Sequence, residues 1–265
     1  MFEKEKINNF LKTEIIGRNI LTFDEITSTN IYLKNLKIPI NGLTVLAENQ
    51  TLGYGRFNRK WISNKNENLL FSVLLKDEIN NSTLLPIIIS LSVAEAISTY
   101  CKTEAEVKWP NDVLINNKKI SGILIETKKY ENNNYFIIGI GINCNQINFE
   151  DEINHKASSI FNETKIFVLR EELFAKVINQ IENNVLLLKN GNTQSLILNW
   201  QSKCKMFGKK LSVKNKNEII FGTANSIDEF GLLNFTTLNG EEIKLSSGEV
   251  TFNLNLKENY HDFSN

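Results

Sequence analysis

"EAEVKWPNDVLINNKKISGILIE", residues 104–126, decides how the middle of this chain is read. β-Branched and aromatic residues alternate with polar ones, and "NNKK" at 116–119 has the composition of a hairpin connection. The stretch reads as one strand, "EAEVKWPNDVLIN", turning into a second, "KKISGILIET". Pro110 fixes the chain's direction, so Asn111 and Asp112 leave the strand end in a defined place. Lys108 can meet a phosphate there, and Asp112 a magnesium ion, directly or through water. Taken alone, the same residues make an ordinary Pro-Asn-Asp turn with Trp109 as a core anchor. Lys119 sits at the edge of the core, where a fixed cation suits a developing oxyanion if that edge lines a pocket; a lone lysine starting a hairpin strand is more often simply solvated.

On either side, the pattern continues to switch between strand and helix. "LTFDEITSTNIYLKNL" (21–36) reads as strand, Ser/Thr turn and a helix that Ser28 or Thr29 can cap. "GLTVLAENQ" (42–50), "LLFSVLL" (69–75) and "NYFIIGIGINCN" (134–145) read as strands. "LLPIIISLSVAEAISTYC" (84–101) has the spacing and proline start of a core helix, and "REELFAKVINQIENNVLLL" (170–188) is a second long helix. After Trp200, short strands separated by Gly, Asn and Asp turns suggest a small β-barrel or sandwich. The predicted organisation is a main domain, residues 1–203, and a small β domain, residues 204–265.

Composition narrows the function classes. The 265 residues carry 30 basic and 30 acidic side chains, so the chain is not built mainly to coat nucleic acid. Cys101, Cys144 and Cys204 are few and widely spaced, as expected of buried thiols in a reducing cytosol rather than a disulfide framework or zinc site. The N-terminus lacks the apolar core of a secretory signal. The most apolar run is interrupted by Pro, Ser and Glu and reads as too short to span a bilayer. A soluble, cytoplasmic protein without membrane attachment is expected.

Against this balanced background, "QTLGYGRFNRKW" (50–61) concentrates charge and flexibility. Gly53 and Gly55 permit backbone angles that other residues resist, while Arg56, Arg59 and Lys60 suit an anion. The loop is neither a P-loop nor a Rossmann fingerprint. In "GIGINCN" (139–145) small residues leave room for a flat ligand beside Asn143, whose amide can read a purine edge.

The order "STN", "GYGRFNRKW", "KWPND", "KKISGILIE", "GIGIN" and a small barrel ending "SGEVTF" closely resembles the biotin–protein ligases, from about Phe23 to Phe252. The resemblance implies an α/β (α+β) catalytic domain with a mixed sheet flanked by helices, related to the class II synthetase and lipoate ligase fold, plus a C-terminal SH3-like β-barrel. It implies a biotin–[acetyl-CoA-carboxylase] ligase that joins biotin to ATP with Mg²⁺, forming biotinyl-5′-AMP. The biotinyl group then passes to a lysine of a biotin carboxyl carrier protein.

By motif, the resemblance gives biotin to Ser28, Thr29, Asn30, Gln50, Gly53, Tyr54, Arg56, Trp61, Lys119, Gly122 and Gly139. It gives ATP to Arg56, Lys108, Asn111, Asp112, Lys119 and Asn143, the metal to Asp112, and catalysis to Lys119 and Arg56. The 50–61 loop becomes a lid that closes over an anionic intermediate. Three positions depart from the pattern. Tyr54 stands where Arg is common, Asn58 where a third glycine is common, and Asn253 where some members carry a nucleotide-contacting arginine. About two dozen residues precede "STN", too few for an independent domain, so no sequence-specific DNA binding is expected. Oligomeric state is open, a homodimer included. Lipoate–protein ligase and a non-catalytic biotin- or adenylate-sensing regulator are the competing readings.

Overall fold

The computed structural model describes residues 2–215 and 218–252. Its central sheet contains β1 (Ile20–Phe23), β2 (Thr44–Ala47), β3 (Leu69–Lys76), β4 (Glu106–Lys108), β5 (Asp112–Ile115), β6 (Lys118–Tyr130) and β7 (Asn133–Ile142). The spatial order is β1-β2-β3-β7-β6-β5-β4. β1 and β2 run parallel and the other neighbouring pairs antiparallel, so the sheet is mixed, as expected.

Successive side chains of a strand point to opposite faces, and β7 shows what each face is for. Phe136, Ile138, Ile140 and Ile142 enter the main core, shared with α3 (Leu85–Cys101) and α5 (Arg170–Lys189). Tyr135 and Ile137 enter a smaller core on the opposite face, under α2 (Thr29–Lys34). On that same face the strand continues with Gly139 and Gly141. The apolar side chains stop there, and a cavity begins.

Helix α1 (Lys4–Phe10) packs on α5, and α4 (Ile160–Thr164) follows the sheet. Through α6 (Thr193–Ser202) the chain reaches a second, antiparallel sheet: β8 (Lys210–Asn215), β9 (Glu218–Ile227), β10 (Leu233–Thr237), β11 (Glu242–Leu245) and β12 (Glu249–Thr251), in the order β11-β10-β9-β8-β12. Trp109 joins the two sheets. It is buried, and its Nε1 donates to the Gly231 carbonyl at 3.0 Å. Trp109 is therefore the anchor that its sequence position allowed.

Four sequence expectations need correction. Residues 104–116 are not one strand but the hairpin β4–β5 around Trp109-Pro110-Asn111. Pro110 has no N–H to give a ladder and its ring restricts the backbone, so the chain reverses there. Helices α1, α4 and α6 were not anticipated. In α6 only Leu196, Ile197 and Trp200 are buried, a short apolar signal. Ser28 stands at the N-cap of α2 but makes no side-chain capping bond. Finally, the helical stretch Ser82–Cys101 is long and apolar enough to cross a bilayer, yet 72% of its most apolar window is buried inside the protein. It is a core helix because α5 and the sheet cover it. Asn253 lies outside the described residues.

Candidate functional site

Strand register builds the floor of the site. Gly141 pairs with Gly122, Gly122 with Asp112, and Asp112 with Lys108, placing the four side by side across β7, β6, β5 and β4. Two glycines without side chains thus lie beside a carboxylate and an ammonium. The Lys119 Nζ folds over this row and sits 2.6 Å from Asp112 Oδ1.

Above the floor is a cavity of about 1260 Å³. Ser28, Thr29, Asn30, Gln50, Tyr54, Arg56, Trp61, Lys108, Asn111, Asp112, Lys119, Gly122, Gly139 and Asn143 all line it. Gly53 does not. It is a packing position, where an added Cβ would meet the Trp61 carbonyl oxygen at 3.1 Å and Gln50 Nε2 at 3.2 Å.

The glycines make room for side chains of the protein itself. A Cβ on Gly141 would lie 2.5 Å from the Trp61 ring, and one on Gly122 would lie 2.9 Å from it. The Trp61 indole therefore lies against Gly122 and Gly141, part of the small-residue surface that the sequence left open for a flat ligand. A Cβ on Gly139 would lie 2.3 Å from Asn30 Oδ1, so that glycine admits the Asn30 amide. Trp61 Nε1 and Asn143 Oδ1 are buried without a hydrogen-bond partner among the described residues. Such atoms are rare and each asks for a partner. Asn143 spends its other amide atom on the Ser158 carbonyl, 3.0 Å away.

Charge in the cavity is lopsided. Its lining carries nine lysines and arginines against two carboxylates, Asp112 and Glu249, in a chain of net charge zero. A cleft of one sign concentrates the field and favours an anion. Burial lowers the pKa of both Lys108 and Arg56 from their ordinary values, Asp112 opposing the shift in each case. The Lys108 ammonium also lies over the Phe252 ring, 5.3 Å from its centroid.

The 50–61 loop is ordered over this cavity as a small hairpin. Tyr54 bridges Lys60, and the Gly55 N–H donates to the Arg59 carbonyl at 2.8 Å. Phe57 and Asn58 both have φ of 57°. Asn tolerates that left-handed region better than most residues, which accounts for its use in place of glycine. Arg56 Nη1 donates to Asn111 Oδ1 and to the Gly248 carbonyl, each at 3.2 Å. Arg59 forms a two-pronged ion pair with Glu249. That pairing is the main reason the Glu249 pKa falls below its ordinary value. Two of the loop's cations are thus turned toward the second sheet.

Sequence reasoning passed over Glu126, Ser72 and Glu249. Glu126 was accessible, because it lies four residues beyond Gly122 in one strand and so faces the same way. Glu249 carried no local signal.

A family model described as the biotin/lipoate A/B protein ligase family matches residues 22–143. The bifunctional ligase/repressor BirA of Bacillus spizizenii is 31% identical over 248 residues, covering 91% of this chain and 76% of that protein. The biotin--[acetyl-CoA-carboxylase] ligase of Mycobacterium tuberculosis is 25% identical, covering 80% of this chain and 79% of its own. Among solved structures, the biotin protein ligase of Aquifex aeolicus in complex with biotin and ATP superposes with a TM-score of 0.80 at 32% identity, covering 88% of this chain and 98% of that one.

Proposed function

Because the chain belongs to the biotin/lipoate A/B protein ligase family, we propose that it is an ATP-dependent biotin–protein ligase. In the first step a biotin carboxylate oxygen attacks the α-phosphorus of ATP, and pyrophosphate leaves. In the second a lysine amine attacks the acyl carbon of biotinyl-5′-AMP, AMP leaves, and the amine loses a proton. A lysine of a biotin carboxyl carrier domain is the proposed acceptor, and the reducing cytoplasm the proposed setting. Cys101, Cys144 and Cys204 are free and buried, their thiols pushed up to about 11, 12 and 12 by burial, which keeps them unreactive.

One observation carries this reading. The Lys119 ammonium stands against Asp112 on a floor of glycines, inside an electropositive cavity roomy enough for two substrates. Attack on the α-phosphate gathers negative charge on oxygens. A cation already in place stabilises that charge more than it stabilises the separated substrates. Asp112 holds the flexible lysine head in position. Lys108 and Arg56, partly stripped of water by burial, are poised to gain from an incoming phosphate. Trp61 Nε1 and Asn143 Oδ1 offer a donor and an acceptor to the bound molecules.

Among the described residues no group of three or more His, Cys, Asp or Glu could hold a metal ion. Asp112 alone fits Mg²⁺, which keeps several waters and takes one or two carboxylates plus phosphate oxygens. A magnesium ion arriving with the nucleotide would be held by Asp112 and would offset phosphate charge.

Mass spectrometry of a biotin carboxyl carrier domain tests the assignment. Its mass should rise by one biotinyl group with biotin, ATP and Mg²⁺, and stay unchanged when ATP is left out or Mg²⁺ is chelated. Labelling without nucleotide would remove the two-step mechanism, and labelling by lipoate in preference to biotin would move the chain to the lipoate branch.

A further inference from the structure

The lid residue Tyr54 reaches to Glu126, the last residue of "KKISGILIE", to which the resemblance gave no role. Its hydroxyl donates to Glu126 Oε2 at 2.6 Å. The same oxygen accepts from Asn30 Nδ2 at 2.9 Å, and Oε1 accepts from Lys34 Nζ at 3.1 Å. These three donors hold the Glu126 pKa below its ordinary value although burial pushes the other way. Burial and the same bond raise the Tyr54 pKa, so the phenol remains a donor across the physiological range.

The bond closes a circuit. Gln50 Oε1 accepts from the Thr29 backbone N–H at 2.8 Å. Ser72 Oγ lies 2.6 Å from both Thr29 Oγ1 and Asn30 Oδ1. Asn30 leads to Glu126, and Glu126 to Tyr54. The chain of bonds starts and ends on the same loop, at Gln50 and Tyr54, and crosses α2, β3 and β6 between them. Because Tyr54 also bridges Lys60 in the lid hairpin, restraining Tyr54 restrains the segment that carries Arg56 and Arg59. The sheet supplies the rigid end: Glu126 is in register with Ile137, at the level where the buried core gives way to the glycines.

We propose that Glu126 is a positioning residue that fastens the lid to the sheet through the Tyr54 hydroxyl, and so retards escape of the acyl-adenylate. The identity of the retained molecule rests on the function proposed above; the latch itself does not. Where an arginine at position 54 would pair with a carboxylate by charge, Tyr54 does so through a phenol that carries none.

Tyr54→Phe removes the hydroxyl and little else. Two readouts separate the latch from the function. The first needs no substrate: trypsin cleavage after Arg56, Arg59 and Lys60 should speed up about tenfold, the lower end of the range for losing a hydrogen bond to a charged group. The second follows release of radiolabelled biotinyl-5′-AMP, which should also quicken about tenfold, with a smaller change in its rate of formation. Glu126→Ala should match Tyr54→Phe in both readouts, the double variant should add nothing, and Glu126→Gln, which keeps an acceptor oxygen, should recover most of the effect. Unchanged trypsin cleavage in Tyr54→Phe overturns the latch, whatever the protein's activity. Faster cleavage with unchanged adenylate release overturns the retention role. If Glu126→Ala does not fold, Tyr54→Phe decides alone; additive effects of the two substitutions overturn the coupling. A parent protein that makes no adenylate would refute the proposed function and leave the trypsin result standing.

Discussion

The two faces of the central sheet use one set of strands for opposite purposes. On the face under α3 and α5, every second residue of β7 from Phe136 to Ile142 is a large apolar side chain at most 7% exposed. On the other face, Tyr135 and Ile137 give way to Gly139 and Gly141 within one strand. The first face fills its volume with its own side chains and gains stability from burial. The second leaves volume, then fills it with side chains from α2, the 50–61 loop and β6: the Asn30 amide, the Trp61 indole and the Lys119 ammonium. A shared backbone transmits rigidity from one face to the other. A single strand thus alternates, residue by residue, between buried packing on one face and open volume on the other.

Four substitutions test that separation, in order of decreasing effect. Ile138→Ala on the packed face should cost about 2–5 kcal/mol of stability, since Ile138 is fully buried. Urea unfolding gives the loss, and carrier labelling measured well below the melting temperature should persist. If labelling collapses while the fold holds, the faces are not separable. Lys119→Met on the open face should do the reverse, lowering adenylate formation roughly 10²–10³-fold by analogy with losing one preorganised donor. Its melting temperature should move little, because the ion pair with Asp112 is partly exposed. Pyrophosphate release and calorimetry together read that outcome.

Arg56→Gly ranks third. It removes the bonds to Asn111 and Gly248 and adds a third flexible residue beside Gly53 and Gly55. Adenylate escape should rise roughly ten- to a hundredfold, seen as biotin on added albumin in a streptavidin blot. Clean albumin from a variant that still forms adenylate would show that Arg56 does not hold the lid.

The smallest effect is that of Lys108→Met. Burial lowers the Lys108 pKa, so in the window between its folded value and the usual lysine value the unfolded chain holds the proton and the folded chain does not. Stability from this group therefore rises with pH across that window. Removing the charge should raise the melting temperature slightly, flatten its alkaline dependence and weaken ATP binding. A fall in melting temperature would mean that the Phe252 contact outweighs desolvation.

Much of this was legible in the sequence, for local reasons. The small residues of "GIGINCN" announce room on a strand face, and "NNKK" announces a hairpin, realised with Asn116 and Asn117 at φ of 52° and 63°. The cation-rich loop stands out in a charge-balanced chain. The β4–β5 reversal was misread because Pro110 was taken to direct a strand that it in fact ends. Helix α1 was overlooked because only Ile7 of its seven residues is buried, a single apolar contact with no helical stripe to read.

The sequence alone determined most of the strands, the alternation of faces along each, and which loop carries the positive charge, because pleat, turn and charge density are properties of neighbours along the chain. Only the tertiary structure decided where those groups point. Arg59 finds Glu249 across 190 positions and Tyr54 finds Glu126 across 72, pairings fixed by how the second sheet and the lid pack against the first. The indole on Gly141 and the amide on Gly139 belong with them, since a glycine says that something approaches closely and the fold alone says what.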